Sequence, residues 1–258
     1  MKKIFRATIR PLVQKFGIDI VRYNKEDSDI TNYLPDISQQ NIEIYNAVKP
    51  YTVTSPERVS ALIDAVNYIV TNKIHGAFVE CGVWKGGSIM AMALTLKNLG
   101  DESRDIYLYD TFSGMSAPTD VDVSIHEQKA YDIFSEKKTS EGSSNWLFSS
   151  LDEVKENMFS IGYPKRKIHF IKGKVEDTIP ANIPDEIALL RLDTDWYEST
   201  KHEMTHLFPL LNQNGVLIVD DYGHWEGSRK AIDEYISDNN IRILLNRIDY
   251  TGRIAIKI

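Results

Sequence analysis

The sequence predicts an α/β protein built on a doubly wound, mostly parallel sheet, and three observations carry that prediction. Short apolar runs alternate with helically periodic stretches from Gly76 onward, several runs end in an acidic residue, and the last two runs lie too close together for a crossover helix. Strands buried on both faces read as unbroken apolar runs, and intervening helices make their neighbours parallel. The first helix is announced by TSPE at 54–57, a hydroxyl cap followed by Pro56 in the first turn. Val59, Leu62, Ile63, Val66 and Ile69 then recur at helical spacing. The strand GAFVECG, the helix SIMAMALTLKNLG and the strand RDIYLYDTF follow. Between Ser113 and Lys137 lies an insertion rich in Asp, Ser, Thr and Pro, expected at the carboxyl edge of the sheet, where long loops face ligands. The series resumes with KIHFIKGKV, EIALLRLDTD, the helix STKHEMTHLFPLL, GVLIVDDYG and the helix GSRKAIDEYISDN. IRILLNRID and RIAIKI close the chain as an antiparallel hairpin at one edge.

Residues 1–50 are polar, with few regular periodicities, and are expected to form a lid or oligomerisation segment ahead of one domain at 51–258. Arg6, Arg10 and Lys15 interrupt every apolar run of the opening stretch, so neither a signal-peptide core nor a membrane span is expected there. An amphipathic helix docked on the body or on a second subunit is expected instead, and with it a homo-oligomer. Cys81 is the only cysteine, so no intrachain disulfide forms, and a cytoplasmic location is expected. A formal charge of −7 argues against tracking a nucleic-acid backbone.

The stretch FVECGVWKGGS, residues 78–88, joins an apolar strand to a glycine-rich turn. A P-loop needs its lysine directly before Ser or Thr, whereas Lys85 precedes Gly86 and Gly87. The dinucleotide fingerprint needs glycine two residues after Gly82, where Trp84 stands. What remains is Glu80-x-Gly82-x-x-x-Gly86, an acid at a strand end suited to an ammonium group and glycines that turn tightly beneath a nucleoside. S-adenosylmethionine carries both an ammonium and a sulfonium. Asp110, ending the next strand, is placed to accept ribose hydroxyls. The expected cofactor wall is therefore Glu80, Cys81, Gly82, Val83, Gly86, Gly87 and Ser88, with Asp110, Thr111 and Phe112 from the second strand.

Asp193 and Asp195 follow one apolar strand, and Asp220 and Asp221 follow another. Carboxyl ends of neighbouring parallel strands share an edge, so these acids converge, and convergent carboxylates need a compensating cation. Oxygen ligands suit a hard divalent ion, Mg²⁺ by default. Asp193, Asp220 and Asp221 are the expected ligands, and Asp195, before Trp196, is read as a supporting or helix-capping acid.

TSPER, FVECGVWKGGS, YDTFSGM, KGKVEDTIP, LLRLDTDWYEST and VDDYGHWEGSRKAIDEY, in this order, resemble the macrocin O-methyltransferase family of metal-dependent sugar O-methyltransferases. The likeness runs from about residue 50 to the end, and the first fifty residues carry no matching phrase. It implies a Rossmann-like class I methyltransferase fold with a seven-stranded sheet. It also implies a Mg²⁺ ion on Asp193, Asp220 and Asp221, and a sugar substrate on a glycosylated natural product or glycan. The resemblance extends the cofactor pocket to Thr54 and Ser55, to Val175 and Glu176, and to Asp193. Metal coordination makes a sugar hydroxyl a usable nucleophile, and a base must still take its proton. Asp193 is the first choice of base and His224 the second. Tyr51, Trp84, Phe112 and Trp225 lie near these motifs, where they either stack on ligand or pack in the core. Two other readings use the same residues: a metal-dependent phosphohydrolase with a structural glycine turn, and a noncatalytic nucleoside-binding subunit.

Overall fold

The computed structural model describes residues 36–140 and 143–258. Contacts divide the chain into two compact units, Met1–Ser38 and Gln39–Ile258, and the second contains the sheet. The amphipathic start, with the docking and self-association expected of it, lies outside the described residues.

Helix α1 (Gln39–Val48) opens this unit and buries Asn41, Ile42, Ile44 and Val48. Asn41 Nδ2 donates to Ser60 Oγ and Asp64 Oδ1, both at 3.0 Å, on α2 (Pro56–Thr71). Gln39–Val48 thus belongs to the same compact unit as the sheet. Ser55 caps α2 by accepting from the Arg58 amide, and Pro56 occupies the first turn, as TSPE predicts.

From there β1 (Ala77–Cys81), α3 (Gly87–Asn98) and β2 (Ile106–Asp110) follow in sequence. The insertion is more ordered than its composition implied. It contains α4 (Ala130–Lys137), and a small ribbon of β3 (Lys138–Ser140) with β4 (Ser143–Ser144) follows it. Ahead of β5 (Ile168–Lys172) comes α5 (Leu151–Ser160), which the sequence reading did not anticipate. The chain continues through α6 (Val175–Thr178), β6 (Ile187–Leu192), α7 (Tyr197–His206), β7 (Leu211–Val219) and α8 (Glu226–Asp238). It closes with β8 (Asn246–Arg247) and β9 (Arg253–Ile256).

Seven strands form one sheet in the order β5-β2-β1-β6-β7-β9-β8. Its first five members run parallel, while β9 is antiparallel to both β7 and β8, the terminal hairpin read from the sequence. The side-chain period of two sorts residues between the faces. Phe78, Ile106, Leu108, Leu189, Val216 and Ile218 pack with α1, α2 and α3, whereas Val79, Cys81, Leu190, Leu192, Leu217 and Val219 pack with Met204, Leu207 and Ile232 on the other side. In register, Glu80 sits opposite Leu108 and Arg191, and Arg191 opposite Ile218. A charged pair, Glu80 and Arg191, therefore sits on two adjacent strands one residue before each ends.

Candidate active site

The turn after β1 is set by backbone geometry. Gly82 has φ +82, and a Cβ there would lie 1.9 Å from the Asp193 carbonyl oxygen, so the β1 and β6 loops touch main chain to main chain. Asp110 holds the turn from β2. Its Oδ2 accepts from the amides of Val83 (2.7 Å) and Trp84 (3.1 Å), and its Oδ1 from Phe112 (2.6 Å). Burial pushes the Asp110 carboxyl up while these amides oppose the shift. Left-handed φ values at Trp84 (47), Phe112 (50) and Asp195 (68) mark strained non-glycine backbone in loops at this edge. Lys85, the lysine of the turn, instead pairs with Glu153 at 3.5 Å and stays off the cavity wall.

The neighbouring half is built from side-chain charge. Arg191, 1% exposed, directs Nη1 to Glu80 Oε1 and, at 2.6 Å, to Asp193 Oδ2. Its Nη2 donates to Asp220 Oδ1 and, at 3.3 Å, to Thr54 Oγ1. Arg58 of α2 meets Asp220 Oδ2 and, at 3.0 Å, Asp249 Oδ2. Oxygens of Asp193, Asp220 and Asp221 lie within 4.8 Å of one another. Burial pushes the carboxyls of Asp193 and Asp221 well up, with neighbouring acids adding to the rise, and it takes Glu80 and Asp195 to about 7. Two arginines thus share a compensation that sequence reasoning gave to a metal alone. They face five carboxyl groups, Glu80, Asp193, Asp195, Asp220 and Asp221, so full ionisation would leave surplus negative charge. An all-oxygen donor set with surplus charge fits a hard divalent cation.

One cavity joins the two halves. Its wall includes Glu80, Gly82, Val83, Gly87 and Ser88 from the turn, Asp110 and Thr111 after β2, and Thr54, Val175 and Glu176 around the rim. Asp193, Asp220, Asp221 and His224 complete the residues that the sequence nominated. Four nominated cofactor residues lie off this wall. Cys81 points to the opposite face of the sheet, since it neighbours Glu80 on a strand. The Ser55 hydroxyl is spent on the Arg58 amide (3.2 Å) and on Asp249 (2.8 Å). Gly86 faces Val154 and Met158 of α5, and Phe112 is buried in the core cluster. Of the four aromatic residues, Tyr51, Trp84 and Trp225 reach the cavity.

Sequence reasoning missed Arg191, Arg58 and the placement of Asp195. A signal existed for Arg191: a charge inside the apolar run IALLRL demands a buried partner. Asp195 lines the cavity, its amide donates to Asp221 Oδ2 at 3.2 Å, and its carboxylate is held by Asp221 and Trp225. It does not cap α7, whose N-cap is Trp196. His224 packs against Trp225, its buried Nδ1 has no partner, and burial lowers its affinity for a proton.

Among the described residues, no helix is long and apolar enough to cross a membrane. A family model described as macrocin O-methyltransferase (TylF) matches residues 22–255, which extends the likeness well ahead of residue 50. Demethyldecarbamoylnovobiocin O-methyltransferase of Streptomyces niveus is 30% identical over 208 residues, 78% of this chain and 74% of that protein. An 8-demethyl-8-(2,3-dimethoxy-alpha-L-rhamnosyl)-tetracenomycin-C 4'-O-methyltransferase of Streptomyces olivaceus is 29% identical over the same lengths. The solved structure of the O-methyltransferase NovP superimposes with a TM-score of 0.70 at 28% identity, covering 80% of this chain and 82% of that one.

Proposed function

Since the chain belongs to the macrocin O-methyltransferase family and is an O-methyltransferase, we propose that it moves a methyl group from S-adenosylmethionine to a sugar hydroxyl of a glycosylated natural product or glycan, with a divalent cation, Mg²⁺ by preference. The observation that carries this reading is the single cavity with two unlike walls. On one wall Glu80 Oε2 is buried without a partner, an oxygen ready for the ammonium of the donor. Asp110, fixed by its three amides, keeps lone pairs for ribose hydroxyls, and Val175 and Glu176 flank the adenine end. On the other wall Asp193, Asp220 and Asp221 would hold the cation. When bound, the cation supplies a Lewis acid that makes a hydroxyl easier to ionise.

The chain's own residues orient the acceptor and take its proton. Asp193 pairs with Arg191 and belongs to the cation trio, which leaves Asp195, on the same cavity wall and outside the trio, as the base we assign. His224, neutral and with a free Nδ1, is the alternative base. Asp195→Asn and His224→Gln, assayed at saturating acceptor, separate the two: only the true base loses about two orders of magnitude or more in kcat. Transfer of a labelled methyl group from S-adenosylmethionine to diol-bearing glycosides, lost on chelation and restored by Mg²⁺, tests the whole reading. Full turnover after exhaustive chelation would remove the cation from it.

A further inference from the structure

Arg191 presents an arrangement that methyl transfer alone does not explain. A fully buried guanidinium on a central strand touches three carboxylates and a hydroxyl, on residues from four separate segments: Glu80, Asp193, Asp220 and Thr54. Register forces the meeting. Glu80 and Arg191 are paired on neighbouring strands, and Asp193 and Asp220 each lie two residues beyond the row that Arg191 shares with Ile218. Side chains two apart on a strand share a face, so all four charged groups point the same way. A planar fork of five donors serves several acids at fixed, separated positions, whereas the three donors of an ammonium radiate from one point.

The consequence concerns Glu80. A carboxylate rotates freely unless one oxygen is held, and here Oε1 is held by Arg191 while Oε2 remains buried and unpartnered at the cavity wall. We propose that Arg191 is a positioning residue: it fixes one oxygen of Glu80 so that the other meets the amino-acid end of the methyl donor, using the same guanidinium that gathers Asp193 and Asp220. This rests on the reading of the cavity as a donor site.

Two ligands that differ only at the relevant end test it. S-adenosylhomocysteine carries the amino-acid group, and 5′-methylthioadenosine lacks it. In titration calorimetry on the full chain, Arg191→Lys is expected to weaken S-adenosylhomocysteine about tenfold or more, while 5′-methylthioadenosine changes by less than about twofold. Equal losses for both ligands would mark Arg191 as a general packing element and overturn the assignment, as would no loss for either. Should Arg191→Lys fail to fold, Glu80→Gln carries the same comparison: a selective loss supports the assignment, and unchanged S-adenosylhomocysteine affinity overturns it. A wild-type protein that binds neither ligand overturns the donor site itself, and this inference with it.

Discussion

The two halves of the cavity bury carboxylates by different means. Beside the glycine turn, Asp110 is satisfied by main-chain amides of Val83, Trp84 and Phe112, groups the fold fixes whatever else is present. Beside β6 and β7, acids rest on side-chain cations, Arg191 and Arg58, which are too few for the acids they face. The first arrangement is complete in itself, and the second is stable only as a network. Amides make a rigid receptor, and an undercompensated network has capacity for a further cation. On the proposed reading the rigid amide cradle of Asp110 would serve the donor's ribose and the adjustable network the ion and acceptor, with Glu80 joined to that network through Arg191.

Gly82 is where the halves touch, and its substitution should break both. A methyl group there would sit 1.9 Å from the Asp193 carbonyl oxygen, in a backbone region that alanine avoids. Gly82→Ala is expected to cost more than about 4 kcal/mol or to prevent folding. Urea denaturation followed by circular dichroism measures it, and a near-native midpoint would mean that the two loops are not in rigid contact.

Removing a member of each half sharpens the contrast. Asp220→Ala strips a partner from the buried Arg191 and from the half-buried Arg58 and is expected to destabilise by about 3–5 kcal/mol. Asp110→Asn keeps the shape but turns a donor toward an amide donor, and about 1–3 kcal/mol is expected. Denaturation midpoints of the two variants give the order directly. If Asp110→Asn proved the more damaging, the glycine turn rather than the acid network would be the weaker half.

How much of this was legible in the sequence follows the same division. The strand and helix order could be read because each strand is an apolar run and the α2 cap uses residues with few other uses. Asp193, Asp220 and Asp221 could be brought together because parallel strands share a carboxyl edge. Helix α5 was missed because only Val154 and Met158 of its residues are fully buried, too few to impose a period on LDEVKENMFS. The placement of Asp195 on the cavity wall was missed because it follows a left-handed φ of 68, which no periodicity encodes for a non-glycine residue. Cys81 was included with the turn because contiguity in sequence was read as contiguity in space, whereas alternation sends it to the far face.

The smallest effect is expected at Ser55, and it probes how far the charged half extends. The hydroxyl caps α2 through the Arg58 amide and also donates to Asp249, which in turn pairs with Arg58. Asp249 is held below the usual carboxylate range by the amides of Gly252 and Thr251, by Ser55 and by Arg58, against the opposing effect of burial. Losing the cap alone costs about 1 kcal/mol. If Ser55 served only as a cap, Ser55→Ala would lower stability by that amount and leave the acid cluster alone. If the network continues through Asp249 to Arg58 and Asp220, the same change should also weaken divalent-cation binding, by roughly two- to threefold for a neutral hydrogen bond acting at one remove. Thermal melting together with a Mn²⁺ titration of the same variant distinguishes the two. A fall in melting temperature with unchanged ion affinity would place the boundary of the charged half at Arg58.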